Sequence, residues 1–205
     1  MTESLHPLFQ AEQTPDKTAY HFASEGAGRT ISYELLVSRM LKGAQFLRSR
    51  GLKTGDGIVV LSENHADLLC LYWAAQICGL YWTAISAQFQ RQEIDYILND
   101  CDASLLVHSQ AQTGKLDQPP QSQRLVLEDW LSAIEAESEQ LIADPAEGAE
   151  MLYSSGTTGK PKGVRATRPG SPLGTVSELF KRRLQLHQIN SDTRYLSTAP
   201  LYHSA

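Results

Sequence analysis

The 205 residues carry no surplus of positive charge. The formal net charge is -5, which excludes the basic footprint of a nucleic-acid binder. The basic run "KRR" at 181–183 reads as a solvated helix face. Cysteine is scarce. Cys70, Cys78 and Cys101 form an odd set without CxxC spacing, so neither a disulfide framework nor a zinc site is expected. Cys70 and Cys78 sit in an apolar stretch, where free cysteine behaves as a small hydrophobe. A reducing, cytoplasmic setting is expected. No basic segment followed by an apolar run opens the chain, so "MTESLHPLFQAEQTPDK" is no secretory signal. No internal repeat stands out. Long hydrophobic runs are also few. "LLCLYWAAQICGLYWTAIS" at 68–86 approaches a membrane span in length. It contains Gln76, however, and breaks at Gly79, and its second half is aromatic and β-branched. A buried helix running into a buried strand is expected there, with no transmembrane segment.

What is present suits a folded core: 41% of residues are hydrophobic, enough to bury one sizeable core or two small ones. Residues 33–50 place Leu36, Met40, Ala44 and Leu47 at helical spacing, with Ser32 as N-cap and Gly51 as the stop. "GIVVLS" at 57–62 reads as a strand, and Asn64 as the cap of a helix over 65–78. "YWTAIS" at 81–86 is a strand, 90–101 a helix and "SLLVHS" at 104–109 a strand. Strand–helix–strand–helix–strand with short connections predicts an α/β fold: a mostly parallel sheet flanked by helices. A polar stretch at 109–123 reads as a loop. A helix is expected over 127–138, strands at 150–155 and 163–169, a helix at 175–188 and a strand at 193–200. Residues 1–145 would form a first α/β subdomain. Residues 146–205 would form a hairpin and the opening of a second.

"YSSGTTGKPKGV" at 153–164 bears the chemistry. Gly156 and Gly159 let backbone approach a ligand closely. Successive N–H groups could form an anion nest. Ser154, Ser155, Thr157 and Thr158 add hydroxyls, Lys160 and Lys162 add charge, and Pro161 stiffens the turn between the lysines. The spacing departs from GxxxxGK[ST] and from GxGxxG. The residues that follow are extended, so phosphate would be held by the loop rather than by a helix terminus. A flexible linker is the alternative, but linkers rarely sit between two strands. Other histidines are read plainly: His65 near a helix start, His108 near a strand end, and His6, His21 and His187 at the surface. Tyr153 is read as a packing residue.

The loop resembles, along its whole length, the phosphate-binding signature [FY]-[ST]-S-G-[ST]-T-G-x-P-K-G-[VAI] of the adenylate-forming superfamily. That superfamily includes acyl-CoA synthetases, firefly luciferase and peptide-synthetase adenylation domains. "APLYHSA" at 199–205 resembles the family's next motif, and "PDKTAY", "ISYELL" and "EIDYILNDCDASLLV" follow its usual order. The subfamily most resembled is the bacterial fatty-acyl or steroid/bile-acid CoA ligases. The resemblance implies the N-terminal subdomain of an acyl-CoA synthetase-like fold. It implies that ATP phosphates are held by residues 154–162, with Thr157, Thr158 and Lys162 foremost. Ser154 is implied at a magnesium ion, and Tyr202 and His203 at the acyl pocket. ATP, Mg2+ and coenzyme A are the implied co-substrates, with a carboxylic acid as partner. The family's adenine and ribose sites and its C-terminal domain with a catalytic lysine have no counterpart here. The chain is therefore expected to be a truncated piece, inactive alone and prone to self-association through uncovered apolar surface. A peptide-synthetase adenylation domain, a non-catalytic nucleotide-binding module and a remnant that binds nothing stay open.

Overall fold

The computed structural model describes residues 6–23, 28–116, 123–154, 161–165, 169–190 and 192–202. The loop residues Ser155, Gly156, Thr157, Thr158, Gly159 and Lys160, and also His203, lie outside them. Helix α1 (Pro7–Gln13) leads into a two-stranded antiparallel hairpin, β1 (Thr18–Phe22) and β2 (Arg29–Ser32). Helix α2 (Tyr33–Ser49) starts where the sequence places it: the Leu35 N–H donates to Ser32 Oγ at 3.2 Å. It stops at Gly51, whose φ of +85° is the left-handed backbone a glycine adopts without steric cost.

Then come β3 (Gly57–Leu61), α3 (Leu68–Ile77), β4 (Tyr81–Ile85), α4 (Arg91–Asp100) and β5 (Ala103–His108). They are followed by β6 (Gln123–Val126), α5 (Trp130–Ile134), β7 (Ala149–Ser154), β8 (Lys162–Arg165) and α6 (Glu178–Leu186). The main sheet has strand order β6-β5-β3-β4-β7-β8. All its pairings are parallel except β7 with β8. This is the expected mostly parallel sheet flanked by helices.

All five residues of β3 are buried, because both faces of the sheet are covered. Ile58 and Val60 join α2, α3 and α5 in one core; Val59 and Leu61 join α4 in another. At the first, Trp130 is fully buried and lies edge-on to Phe46 at 5.8 Å. The space beside it exists because residue 43 is glycine. A Cβ there would stand 2.6 Å from the Trp130 ring and 2.8 Å from Ala74 Cβ. The hydrophobic run at 68–86 is helix α3 and strand β4, turned at Gly79 (φ +64°). Among the described residues no helix is long and apolar enough to cross a membrane.

Several expectations need correction. Asn64 does not cap α3. Asp67 precedes that helix, and the Asn64 side chain is engaged elsewhere. His6 is not at the surface. It is 3% exposed, packed edge-on against Trp73 at 5.1 Å, and accepts the Leu8 N–H at its Nδ1. The helix expected over 127–138 is a 3-10 turn and the short α5. The polar stretch at 109–123 holds a 3-10 helix, and its last residue begins β6. Residues 193–200 form no strand, because no partner among the described residues offers them a hydrogen-bonding ladder.

Candidate functional site

The site is built where β7 leaves the sheet. β7 pairs in parallel with β4 at Tyr81–Ala149 and Trp82–Glu150 only. From Met151 to Ser154 it instead runs antiparallel to β8, ending at the pair Ser154–Lys162. The segment 155–160 is therefore tethered at both ends by one hairpin. Because β7 is parallel to β4, those tethers lie toward the carboxyl end of the sheet, where open α/β folds bind ligands.

Gly163 explains part of the hairpin's shape. It faces Tyr153 across the pair, and a Cβ on it would stand 2.9 Å from the Tyr153 ring and 2.6 Å from Met151 Cε. The ring occupies the space a side chain would need. The Tyr153 hydroxyl donates to Asp100 Oδ2 at 2.6 Å, so the loop's stem is pinned to the end of α4. Burial, then this hydrogen bond, raises the Tyr153 phenol above the ordinary tyrosine range. Its packing role agrees with the sequence reading. Lys162 is exposed at the start of β8, and Pro161 is half-buried. The Arg165 guanidinium lies 4.9 Å from the Tyr81 ring centroid, which docks the other end of β8 onto the sheet.

A second part lies on the α3 side. A cleft of about 150 Å³ opens between α3, β3, β4 and the segment at 201–202. Leu68, Tyr72, Trp82, Ala84 and Tyr202 form its walls, with Glu150 at one side. Tyr72 and Trp82 meet edge-to-face at 5.4 Å. The Tyr72 hydroxyl donates to Glu150 Oε1 at 3.4 Å. The carboxylate of Glu147 accepts the Gly174 N–H at 2.5 Å; burial pushes it up from the ordinary carboxylate range. The structure thus brings Ser154 and Lys162 together across one strand pair and sets Tyr202 in a separate aromatic cleft.

Sequence reasoning missed a polar cluster at the ends of β3 and β5. The Ser109 hydroxyl donates to Glu63 Oε2 at 2.7 Å, and Gln112 Nε2 donates to Glu63 Oε1. Burial opposes ionisation of Glu63, but the Ser109 hydrogen bond, a hydrogen bond from its own backbone, the Gln112 hydrogen bond and the charge of Lys115 together outweigh it and hold the carboxyl below its ordinary range. Polar residues directly after two buried strands were the available signal. Among the described residues, no group of three or more His, Cys, Asp or Glu side chains could hold a metal ion.

The sequence profile of the AMP-binding enzyme family matches residues 9–205. A feruloyl-CoA synthase from an Amycolatopsis species is 28% identical over 97% of this chain and 39% of its own length. Gramicidin S synthase 2 from Brevibacillus brevis is 30% identical over 78% of this chain and 4% of its own length. The chain thus spans well under half the length of these curated relatives. Among solved structures, o-succinylbenzoate-CoA synthetase from Bacillus subtilis, in complex with its acyl-adenylate intermediate, superposes with a TM-score of 0.75. That match has 20% identity and covers 98% of this chain and 50% of the other, so it speaks for the fold. A signature loop on a strand hairpin, the sheet order and a profile spanning nearly the whole sequence agree: the chain belongs to the AMP-binding enzyme family.

Proposed function

We propose that this chain is the N-terminal part of an ATP-dependent ligase joining a carboxylic acid to a thiol. In the proposed reaction the carboxylate oxygen attacks the α-phosphorus of ATP. The bond to the bridging oxygen breaks, giving an acyl-adenylate and pyrophosphate. A thiol, coenzyme A in this reading, then attacks the acyl carbon and displaces AMP. The single observation that supports this best is the β7–β8 stem. It holds both ends of the 155–160 segment at the carboxyl end of a parallel sheet, with Lys162 at its foot.

In this reading the backbone N–H groups and hydroxyls of 154–160 and the charge of Lys162 embrace the β- and γ-phosphates. Preorganised donors and a cation at that position stabilise charge on the leaving pyrophosphate. Magnesium would arrive with the triphosphate, with Ser154 as the proposed contact, since no described carboxylate cluster is built for a metal alone. Tyr202, and His203 beside it, would border the acyl group. A fatty-acyl or steroid-type acid suits the apolar walls of the cleft. By itself this chain, which spans 39% of the feruloyl-CoA synthase's length, is proposed to give no carboxylate-dependent ATP–pyrophosphate exchange.

The identity to gramicidin S synthase 2 favours a second reading, an adenylation domain passing its acyl group to a carrier-protein thiol. Offering the longer protein that contains this segment both free coenzyme A and a phosphopantetheinylated carrier separates the two. The phosphate role is tested there by Lys162→Ala. It is expected to lower kcat/KM for ATP by roughly a hundredfold, the usual scale for losing one preorganised charge donor. An unchanged value would overturn it.

A further inference from the structure

The Leu201 N–H donates a 2.7 Å hydrogen bond to Oδ1 of Asn64, a residue distant in sequence. Asn64 lies just past the carboxyl end of β3, the strand that pairs with both β4 and β5. Among the described residues this is the hydrogen bond that ties the 192–202 segment to the sheet. The other bonds within 192–202 are local to its turns, such as Thr193 N to Asn190 O and Ser197 Oγ to Ala199 O. The consequence reaches the cleft. Leu201 packs against the core that contains Val60 and Trp82, and the next residue, Tyr202, is a wall of the aromatic cleft.

We propose that Asn64 is a positioning residue for the acyl site. Its side-chain oxygen fixes the Leu201–Tyr202 backbone against the end of β3 and so sets the distance of Tyr202 from Trp82 across the cleft. The proposal rests on the reading that this cleft borders the acyl group. An asparagine before a helix ordinarily serves as its cap, but α3 begins at Leu68 behind Asp67. The Asn64 oxygen is spent on a contact between distant segments instead. One acceptor suffices, so an aspartate should replace it and an alanine should not.

Two measurements test this. In the 205-residue chain, amide hydrogen exchange at Leu201 is compared among the native protein, Asn64→Ala and Asn64→Asp. A typical net hydrogen bond corresponds to about fivefold faster exchange in Asn64→Ala. Asn64→Asp should keep the native rate. Equal rates in the native chain and Asn64→Ala would overturn the latch. In the longer protein, Asn64→Ala should raise KM for the carboxylic acid about tenfold and leave KM for ATP unchanged, with Asn64→Asp restoring the native value. A parallel rise in both KM values would mean a general structural role and overturn the positioning role. The exchange measurement needs no catalysis. A longer protein that forms no adenylate would sink the proposed function, and the latch would still be decided.

Discussion

At the residue scale, His6 shows how one buried titratable group couples fold to pH. It caps α1 through Nδ1 and packs against Trp73. Burial pushes its imidazole down to about 4 from 6.5. Between those values the unfolded chain takes up a proton that the folded chain refuses. Stability therefore falls as pH drops from about 6.5 to about 4, and this contribution is fully present only above the upper value. A shift of this size corresponds to on the order of 3 kcal/mol. His6→Asn keeps a capping acceptor and removes the titration. Urea unfolding across this range should show the native chain losing stability more steeply than the variant. Parallel curves would refute the assignment. The sequence reading placed His6 at the surface because a lone histidine near a chain start carries no pattern. Its burial is decided by Trp73, which no local periodicity connects to it. Ser32 and Gly51 were legible for the opposite reason: caps act on backbone groups within a turn of themselves. Lys162 and Ser154 stand in a recognisable motif, and the strand pairing sets them opposite each other. Asn64 was misread, since its partner lies far along the chain.

At the element scale, the buried strands and their helices were readable because both sheet faces are covered, which leaves apolar runs such as Gly57–Leu61 in the sequence. β6 was not: four residues at a sheet edge after a polar loop carry too little pattern to separate from coil. The β1–β2 hairpin was missed too, and it is not held by apolar burial alone. Asp67, at the start of α3, is 4% exposed in its side chain. It accepts Arg39 Nη1 from α2 at 2.9 Å and Arg29 Nη1 from β2 at 3.2 Å. The Tyr20 hydroxyl of β1 donates to the Ala66 carbonyl oxygen at 2.7 Å. The hairpin is thus clamped to the helix that lines the cleft. Removing one partner of a buried pair leaves the other charges uncompensated. Arg29 is partly solvated, with 42% of its side chain exposed, which discounts that loss. Asp67→Ala is expected to destabilise the chain by roughly 2–3 kcal/mol. Amide exchange in Thr18–Phe22 and Arg29–Ser32 should quicken more than in β3. A uniform increase across both would show that the clamp has no local role.

At the scale of the whole molecule, apolar surface is distributed unevenly. The two cores around β3 are closed by helices on both faces. Beyond β7 the pattern changes. Val164 is 61% exposed, Leu186 78%, Tyr195 84% and Leu196 80%. Phe180 and Ile189 are exposed to about the same degree as Phe9, Leu35 and Leu141 before β7, so the strongest exposure is confined to Val164, Leu186, Tyr195 and Leu196. β8 also ends the sheet, so its outer backbone edge has no strand partner among the described residues. Lys162 and Arg165 on that edge discourage a second β8 from pairing antiparallel with it, because the two cations would face each other. Association is therefore expected through the apolar side chains of α6 and 193–196 rather than through strand addition. Sedimentation equilibrium should give an average mass above that of one chain as concentration rises into the hundred-micromolar range, a typical span for modest apolar contacts. Raising salt should strengthen the association or leave it unchanged, since salt screens the repulsion among Lys181, Arg182 and Arg183. Leu186→Ser combined with Leu196→Ser should return the chain to a monomer without changing its melting temperature, because neither side chain belongs to a buried core. A strict monomer at every concentration would overturn this expectation, and so would association that survives the double substitution but vanishes in high salt.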